Sequence, residues 1–365
     1  MKIAFFHELT PLSGARKVVE EYGKILRKEH EVDLYYVDDN EDKRVLKFFN
    51  NVYYFKFNEK HWRGNNWKAK LYKDSIELIK LYFLHKKISK IIKAKKYDSV
   101  LVNPSKFTQA PFLLRFVNKP IYFCEEPLRI VYDELFSIPK DLGFSKIIYE
   151  KINRKIRKII DKRNIKSLWI VLANSNYSRQ NVKKAYGIEA YTCYLGADTK
   201  KFKSLKIKKT HDLLFVGEKA VIEGYDLLEQ TLKLYREKPS VEYVIRNEKG
   251  EGIPENNLIE AINNSKIVLA LSKNEPFGLL PIEAMSCEVP VIAVSEGGFK
   301  ESVIDGKTGF LIDRKSEELK DKIDLLLSDD KLRAQMGENG RKLVLDKFTW
   351  AKSANRFLNI TKIRA

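Results

Sequence analysis

Short apolar runs alternate with longer stretches of helical period along almost the whole chain. Runs that read as buried strands fall at Lys2 to His7, Glu31 to Val37, Val52 to Phe57, Tyr97 to Asn103, Ile121 to Cys124 and Trp169 to Ala173, and a helix opens at Gly14 and continues to about Arg27. After the lysine-rich stretch Lys200 to Lys209 the pattern restarts, with strands expected at Asp212 to Val216, Val241 to Arg246, Ile267 to Ser272, Val289 to Val294 and Phe310 to Ile312. Helical segments fill the intervals. This alternation predicts the α/β class, with doubly wound parallel sheets covered on both faces. The restart divides the chain into a domain over residues 1–200 and a second over 201–346, followed by an amphipathic helix in 347–365.

Between the strands expected at Ile267 and Val289 runs Asn274-Glu275-Pro276-Phe277-Gly278-Leu279-Leu280-Pro281-Ile282-Glu283-Ala284-Met285, in which seven residues separate Glu275 from Glu283. This is the turn and helix of a β-α-β unit, and such turns lie at the carboxyl ends of parallel strands, where open α/β sheets bind ligands. With the helix starting near Gly278, the amides of Phe277, Gly278, Leu279 and Leu280 point out of its N-terminus and, with the helix dipole, make a site for a phosphate group. Glu275 then lies just outside the first turn and Glu283 about one and a half turns inside it, so one carboxylate reaches toward a sugar and the other toward a ribose. Taken singly, each glutamate also reads as an ordinary polar residue, Glu275 near a helix start and Glu283 on a solvated helix face.

At these residues the chain resembles the retaining GT-B glycosyltransferases of family 4, the glycosyl transferases group 1, whose hallmark is an E-x7-E motif. The resemblance extends to Asn174-Ser175-Asn176-Tyr177-Ser178, Tyr186-Gly187-Ile188, Tyr194-Leu195-Gly196-Ala197-Asp198, Tyr122-Phe123-Cys124-Glu125-Glu126-Pro127 with Arg129, and Ser13-Gly14-Ala15-Arg16-Lys17-Val18. It covers nearly the whole chain. It implies two Rossmann-like domains facing across a cleft, a last helix that crosses back to the first domain, and a donor nucleotide held by the second. It also implies that the loop at Gly14 approaches the donor diphosphate, that Glu275 acts at the donor sugar as the catalytic carboxylate and that Glu283 holds the ribose. Attack is expected from the front face with retention and without a metal.

The departures bear on the same site. Where the family carries an arginine and a lysine against the diphosphate, this chain reads Gly217-Glu218-Lys219-Ala220-Val221-Ile222-Glu223-Gly224, so both cations have become glutamates. A charge pair ~4 Å apart is worth roughly 4 kcal/mol at an effective dielectric near 20, so the exchange weakens diphosphate binding unless something compensates. Four explanations stand: Lys219 or Arg246 supplies the cation, the glutamates turn outward, the donor is unusual, or catalysis is lost. Glu125 replaces the family's histidine and reads either as a donor-sugar contact or as a loop cap. Arg246 is a candidate base contact, in a stretch from Tyr243 to Asn257 that is shorter than in most relatives.

Composition narrows the field further. With 365 residues, 44% of them hydrophobic, the chain is long enough for two domains with real cores. Cys124, Cys193 and Cys287 form no C-x-x-C pair, and Met1 to His7 does not read as a signal segment, so a cytoplasmic location is expected. There is no G-x-G-x-x-G, P-loop or G-x-S-x-G, and the five histidines have no metal-ligand spacing. Neither a cofactor nor a metal is expected.

The formal net charge is +19, much of it on helices. From Lys146 to Lys166, Ile148, Ile152, Ile156 and Ile159 recur at helical spacing among lysines and arginines, and Lys68 to Lys96 has a similar balance. Either the isoleucines face the domain core, or the helix suits an anionic membrane surface at the inner membrane face. Nucleic acid is not expected as a partner, since no stacking-aromatic module accompanies the charge.

These observations lead to a hexosyltransferase that moves a sugar from a nucleotide diphosphate sugar, UDP-linked first and GDP-linked next, to a hydroxyl of a glycan, glycolipid or small-molecule acceptor. A cell-surface glycan is the expected product. Two other readings are a degenerate GT-B protein that binds a glycan or membrane partner, and a sugar-nucleotide epimerase or hydrolase on the same fold.

Overall fold

The computed structural model describes residues 1–8, 14–38, 41, 43–58, 67–105, 107–139, 141–245 and 253–363. Its contacts divide the chain into two compact units, one comprising Met1–Ala173 and Arg179–Thr192, the other Asn174–Ser178 and Cys193–Ala365. Each unit is built on one parallel sheet.

The first sheet contains β1 (Lys2–Glu8), β2 (Glu31–Asp38), β3 (Asn51–Lys56), β4 (Ser99–Val102), β5 (Pro120–Phe123), β6 (Ile170–Ala173) and β7 (Tyr191–Thr192), in the order β3-β2-β1-β4-β5-β6-β7. The register runs in phase, with Phe5 opposite Leu34 on one side and Leu101 on the other. Strand β1 is buried from Ile3 to Glu8 without alternation, because helices cover both faces of a parallel sheet and no side is left for polar residues. Phe6, Tyr35, Val102, Leu113 and Tyr122 lie in its core. The strand order reverses between β1 and β4, and the Gly14–Leu26 helix begins at that crevice.

The second sheet contains β8 (His211–Gly217), β9 (Val241–Ile245), β10 (Ser265–Ala270), β11 (Val291–Val294) and β12 (Gly309–Ile312), ordered β12-β11-β10-β8-β9. This is the GT-B architecture of two α/β sheets. Each strand expected from the apolar pattern is present, with ends displaced by a residue or two, while the two-residue β7 was too short to leave a pattern. The order reverses between β8 and β10, so the ligand crevice of this unit lies between the loops that follow those two strands.

In the Phe144–Asn164 helix the core-facing reading of the isoleucine row is wrong. Ile148, Ile152, Ile156 and Ile159 are exposed, while Asn153, Asp161 and Asn164 are buried. Polar bonding holds the inner face in place. A single π turn, Lys73–Glu77, joins the Trp67–Tyr72 and Leu78–Ala94 helices and carries Asp74. Asp74 pairs with Arg157 and accepts from Tyr149 Oη at 2.7 Å and Asn153 Nδ2 at 2.9 Å. Near the helix end, Asp161 accepts from the Ala110 amide at 3.2 Å, and Asn164 Nδ2 donates to the Ala110 carbonyl at 2.6 Å.

Burial pushes the Asp161 carboxyl up to about 7, against the hydrogen bond from Ala110. A folded-state value above the unfolded one, ~3.9, means that this group costs nothing below about pH 4 and progressively destabilises the fold as the pH rises toward 7. Asp161→Asn should therefore flatten the loss of stability between pH 5 and 8 and stabilise the protein at pH 8 by up to about 4 kcal/mol. Denaturant titrations of both proteins at the two pH values test this, and parallel pH dependence would refute it.

Candidate functional site

The loop after β10 and the Leu279–Ser286 helix that follows it carry the paired glutamates. Gly278 occupies the N-cap with φ 81° and has no side chain to cap the first turn, which leaves the Leu279 and Leu280 amides directed outward. Pro281 follows them and has no amide to satisfy. The bend at Gly278 has room for nothing larger. A Cβ there would lie 2.4 Å from the Phe299 ring, and the positive φ disfavours any side chain.

Backbone packing fixes the loop from two sides. Gly297 and Gly298, after β11, lie so close that a Cβ on either would fall 2.3 Å from the Glu275 carbonyl oxygen or 2.4 Å from that of Pro276. The Gly298 amide donates to the Glu275 carbonyl at 2.8 Å, and Ser175 Oγ donates to the Pro276 carbonyl at 2.5 Å. Beneath the loop, Phe277 is fully buried against Tyr194 and Phe348, with ring centroids 5.9 and 5.7 Å away. Glu301 completes this support by accepting from the Asn176 and Tyr177 amides and from Tyr194 Oη, each at 2.8 Å.

At the loop's start, Glu296 forms a two-point pair with Arg314 at 2.9 and 2.8 Å, and Arg314 also donates to the Leu271 carbonyl at 2.9 Å. Burial alone would raise the Glu296 carboxyl, but the bonds and charge of Arg314 outweigh it and hold the group below the ordinary carboxylate range.

The loop after β8 is zipped to this segment. The Lys273 amide donates to the Ile222 carbonyl at 2.8 Å, and a Cβ on Gly224, φ 77°, would meet the Leu271 carbonyl oxygen at 2.2 Å. Of the two glutamates that replace the expected cations, Glu223 turns inward. Its carboxylate accepts from Ser272 Oγ at 2.9 Å and lies 3.2 Å from the position a Gly217 Cβ would take. Glu218 is exposed, and Lys219 is exposed with its ammonium 5.8 Å from the Tyr225 ring centre. Within the two loops, 217–224 and 271–278, the cations are Lys219 and Lys273.

Six of the expected residues, Glu275, Phe277, Gly278, Leu279, Leu280 and Glu283, therefore share one loop and helix, and Lys219 lies on the neighbouring loop. Glu275 is half-buried, whereas Glu283 is only 4% exposed, which removes its reading as a solvated helix residue. Gly14 and Glu125 belong to the first unit, Gly14 at the first residue of its helix and Glu125 just past β5, both half-buried. Arg246 lies outside the described residues. Sequence reasoning quoted Ser175 only within the family resemblance, without a role, and missed Glu301, Ser272 and the Glu296–Arg314 pair. Of the supporting features, only the Gly297-Gly298 pair after an apolar run could have been read as a close backbone approach.

Residues 250–343, which include this loop and helix, match the family model described as "Glycosyl transferases group 1". This segment of the chain is similar to that family. It is 43% identical over 82 residues to an uncharacterized glycosyltransferase of Methanocaldococcus jannaschii, a match covering 22% of this chain and 23% of that protein. The similarity to human alpha-1,3/1,6-mannosyltransferase ALG2 is 27% over 255 residues, 69% of this chain and 55% of the relative. The aligned part is thus about a quarter to just over half of these relatives' lengths. Among solved structures, Anabaena HepE in complex with UDP and glucose superposes with a TM-score of 0.68 at 18% identity, covering 99% of both chains.

The Gly278 geometry yields a direct test. Gly278→Ala should destabilise the protein by at least about 1–3 kcal/mol, since it adds backbone strain to the overlap with Phe299. Gly143→Ala, where φ is −57° and nothing lies within 4 Å, should be near neutral. Denaturant midpoints measure both, and equal midpoints would mean the bend at Gly278 is misdescribed.

Proposed function

We propose that the chain transfers a glycosyl group from a nucleotide diphosphate sugar to an acceptor hydroxyl with retention at the anomeric carbon, without a metal ion. The observation that carries this reading is the loop and helix from Glu275 to Glu283, set by Gly278 beside the β8/β10 crevice. Bond cleavage places negative charge on the departing diphosphate. The Leu279 and Leu280 amides and the helix dipole are aimed at such a charge, so they favour the transition state over the ground state. In this reading Glu275 positions the donor sugar, Glu283 presents a carboxylate edge to the ribose, and Gly14 is assigned to the donor diphosphate. Glu125 is assigned to a donor-sugar hydroxyl and Arg246 to the base. The UDP and glucose bound by HepE favour a UDP-sugar as donor, and a cell-surface glycan or glycolipid is the acceptor class we favour.

Glu223 sharpens the electrostatic problem, because an inward carboxylate at the crevice repels a diphosphate. The reading therefore assigns charge compensation to Lys219 and Lys273. The same carboxylate motivates the second reading, a non-catalytic protein that retains the fold and binds a glycan or membrane partner.

Purified protein incubated with UDP-, GDP- and ADP-sugars and candidate acceptors should release nucleoside diphosphate at a rate unaffected by chelator. Glu275→Ala should lower that rate by roughly 10²–10³-fold. Lys219→Ala and Lys273→Ala should raise the donor KM more than they lower kcat. Full turnover by Glu275→Ala would remove its assigned role, and donor consumption without an acceptor would point to a hydrolase or epimerase. No thermal shift with any nucleotide would favour the non-catalytic reading, since a ligand that binds the native state raises apparent stability.

A further inference from the structure

The Phe144–Asn164 helix is amphipathic in the inverted sense. Its inner face is bonded through Asp74, Arg157, Asn153, Asp161 and Asn164, with Ile160 packed beside them, while the row from Phe144 to Ile159 is exposed to solvent. Phe144 is 80% exposed and Ile152 54% exposed, in one row with Ile148, Ile156 and Ile159. Hydrophobic burial does not explain this row, since another face of the helix holds it to the domain. Contiguous exposed apolar surface of this kind marks an interaction site.

A second row identifies the partner. Lys151, Lys155, Lys158 and Lys162 follow the same i, i+4 and i, i+3 steps beside the isoleucines, and all four are exposed. Lys151, Lys155 and Lys162 form no ion pair among the described residues. A second copy of the chain docked on this stripe would bring two lysine rows within a Debye length, ~8–10 Å, in a protein of net charge +19. An apolar stripe flanked by unpaired lysines complements a surface with acyl chains below anionic headgroups. No helix of the described residues is long and apolar enough to cross a membrane, so the contact is with the surface of a bilayer.

We propose that the Phe144–Asn164 helix docks the protein on anionic lipid bilayers, its isoleucine row entering the headgroup boundary and its lysine row contacting the lipid phosphates. The neighbouring Leu78–Ala94 helix adds exposed Ile79 and Phe83, and Asp74 at its base joins the two helices. Docking does not depend on the proposed transfer reaction, so the two readings fail separately.

The full-length protein should sediment with mixed phosphatidylcholine and phosphatidylglycerol vesicles at low salt and far less with phosphatidylcholine alone. Lys151→Gln with Lys155→Gln, and separately Ile152→Ser with Ile156→Ser, should each weaken vesicle binding by about tenfold or more. Because these residues are exposed, the thermal midpoint should hold in both pairs. An environment-sensitive fluorophore on Ile152→Cys should shift to the blue on anionic vesicles, while the same label on Asp330→Cys in the other unit should not. Equal binding to neutral vesicles, undiminished binding by both variant pairs, or an unshifted label at position 152 would overturn the proposal. So would concentration-dependent dimerisation abolished by Ile152→Ser, which would make the stripe a contact between copies.

Discussion

The close approach of backbone to backbone around Asn274–Gly298 is the constraint on which the candidate site depends. Three glycines permit it: Gly278 turns the chain into the helix, and Gly297 and Gly298 lie against the Glu275 and Pro276 carbonyls. A side chain at any of the three would force apart β10's loop and β11's loop and move Glu275 away from the helix end. The supporting bonds from Ser175 and Gly298 engage main-chain carbonyls of this segment, and Arg314 engages that of Leu271 just before it. They therefore fix the position of the loop through its main chain.

Opposing electrostatic contributions meet at the crevice. A helix end presents roughly half a positive charge, and screened contributions of this kind are worth ~0.3–1 kcal/mol when exposed and up to ~2 when partly buried. An inward carboxylate at Glu223 opposes a diphosphate by an amount at least comparable, given ~4 kcal/mol for a pair of charges at 4 Å and an effective dielectric near 20. The helix dipole alone does not offset that. A diphosphate held here needs at least one close lysine, and Lys273 is the better placed by fold, since its own amide is bonded across the crevice to Ile222. Ser272 softens the repulsion by donating a hydrogen bond to Glu223.

Much of this was legible in the chain. Strands covered on both faces leave continuous apolar runs, so β1, β8, β10 and β11 could be read directly, and Glu275 to Glu283 announced a turn and helix between two such runs. The supporting shell was not legible because its members act at a distance in sequence. Ser175 bonds Pro276 across 101 positions and Tyr194 bonds Glu301 across 107, and neither a serine nor a tyrosine in isolation signals such a bond. Glu223 illustrates a different limit. Its substitution for a cation was visible, but its direction depended on Gly217 and Ser272, which pack only once β8 and β10 lie side by side.

The Phe144–Asn164 helix exposes a limit of periodicity itself. A hydrophobic period of 3.6 residues identifies a helix with an apolar stripe, but it is silent on which face meets the protein. The usual assumption, that the stripe faces inward, rests on burial being the dominant favourable term. Here Asp74 reverses it by offering one carboxylate to Tyr149, Asn153 and Arg157, three polar residues spaced i, i+4 and i+8 along the opposite face. That network anchors the helix through its polar side. The row from Ile148 to Ile159 is then free to contact something other than the protein's own core, and the residue that sets this is a carboxylate in the Lys73–Glu77 turn, seventy-five residues away from Tyr149.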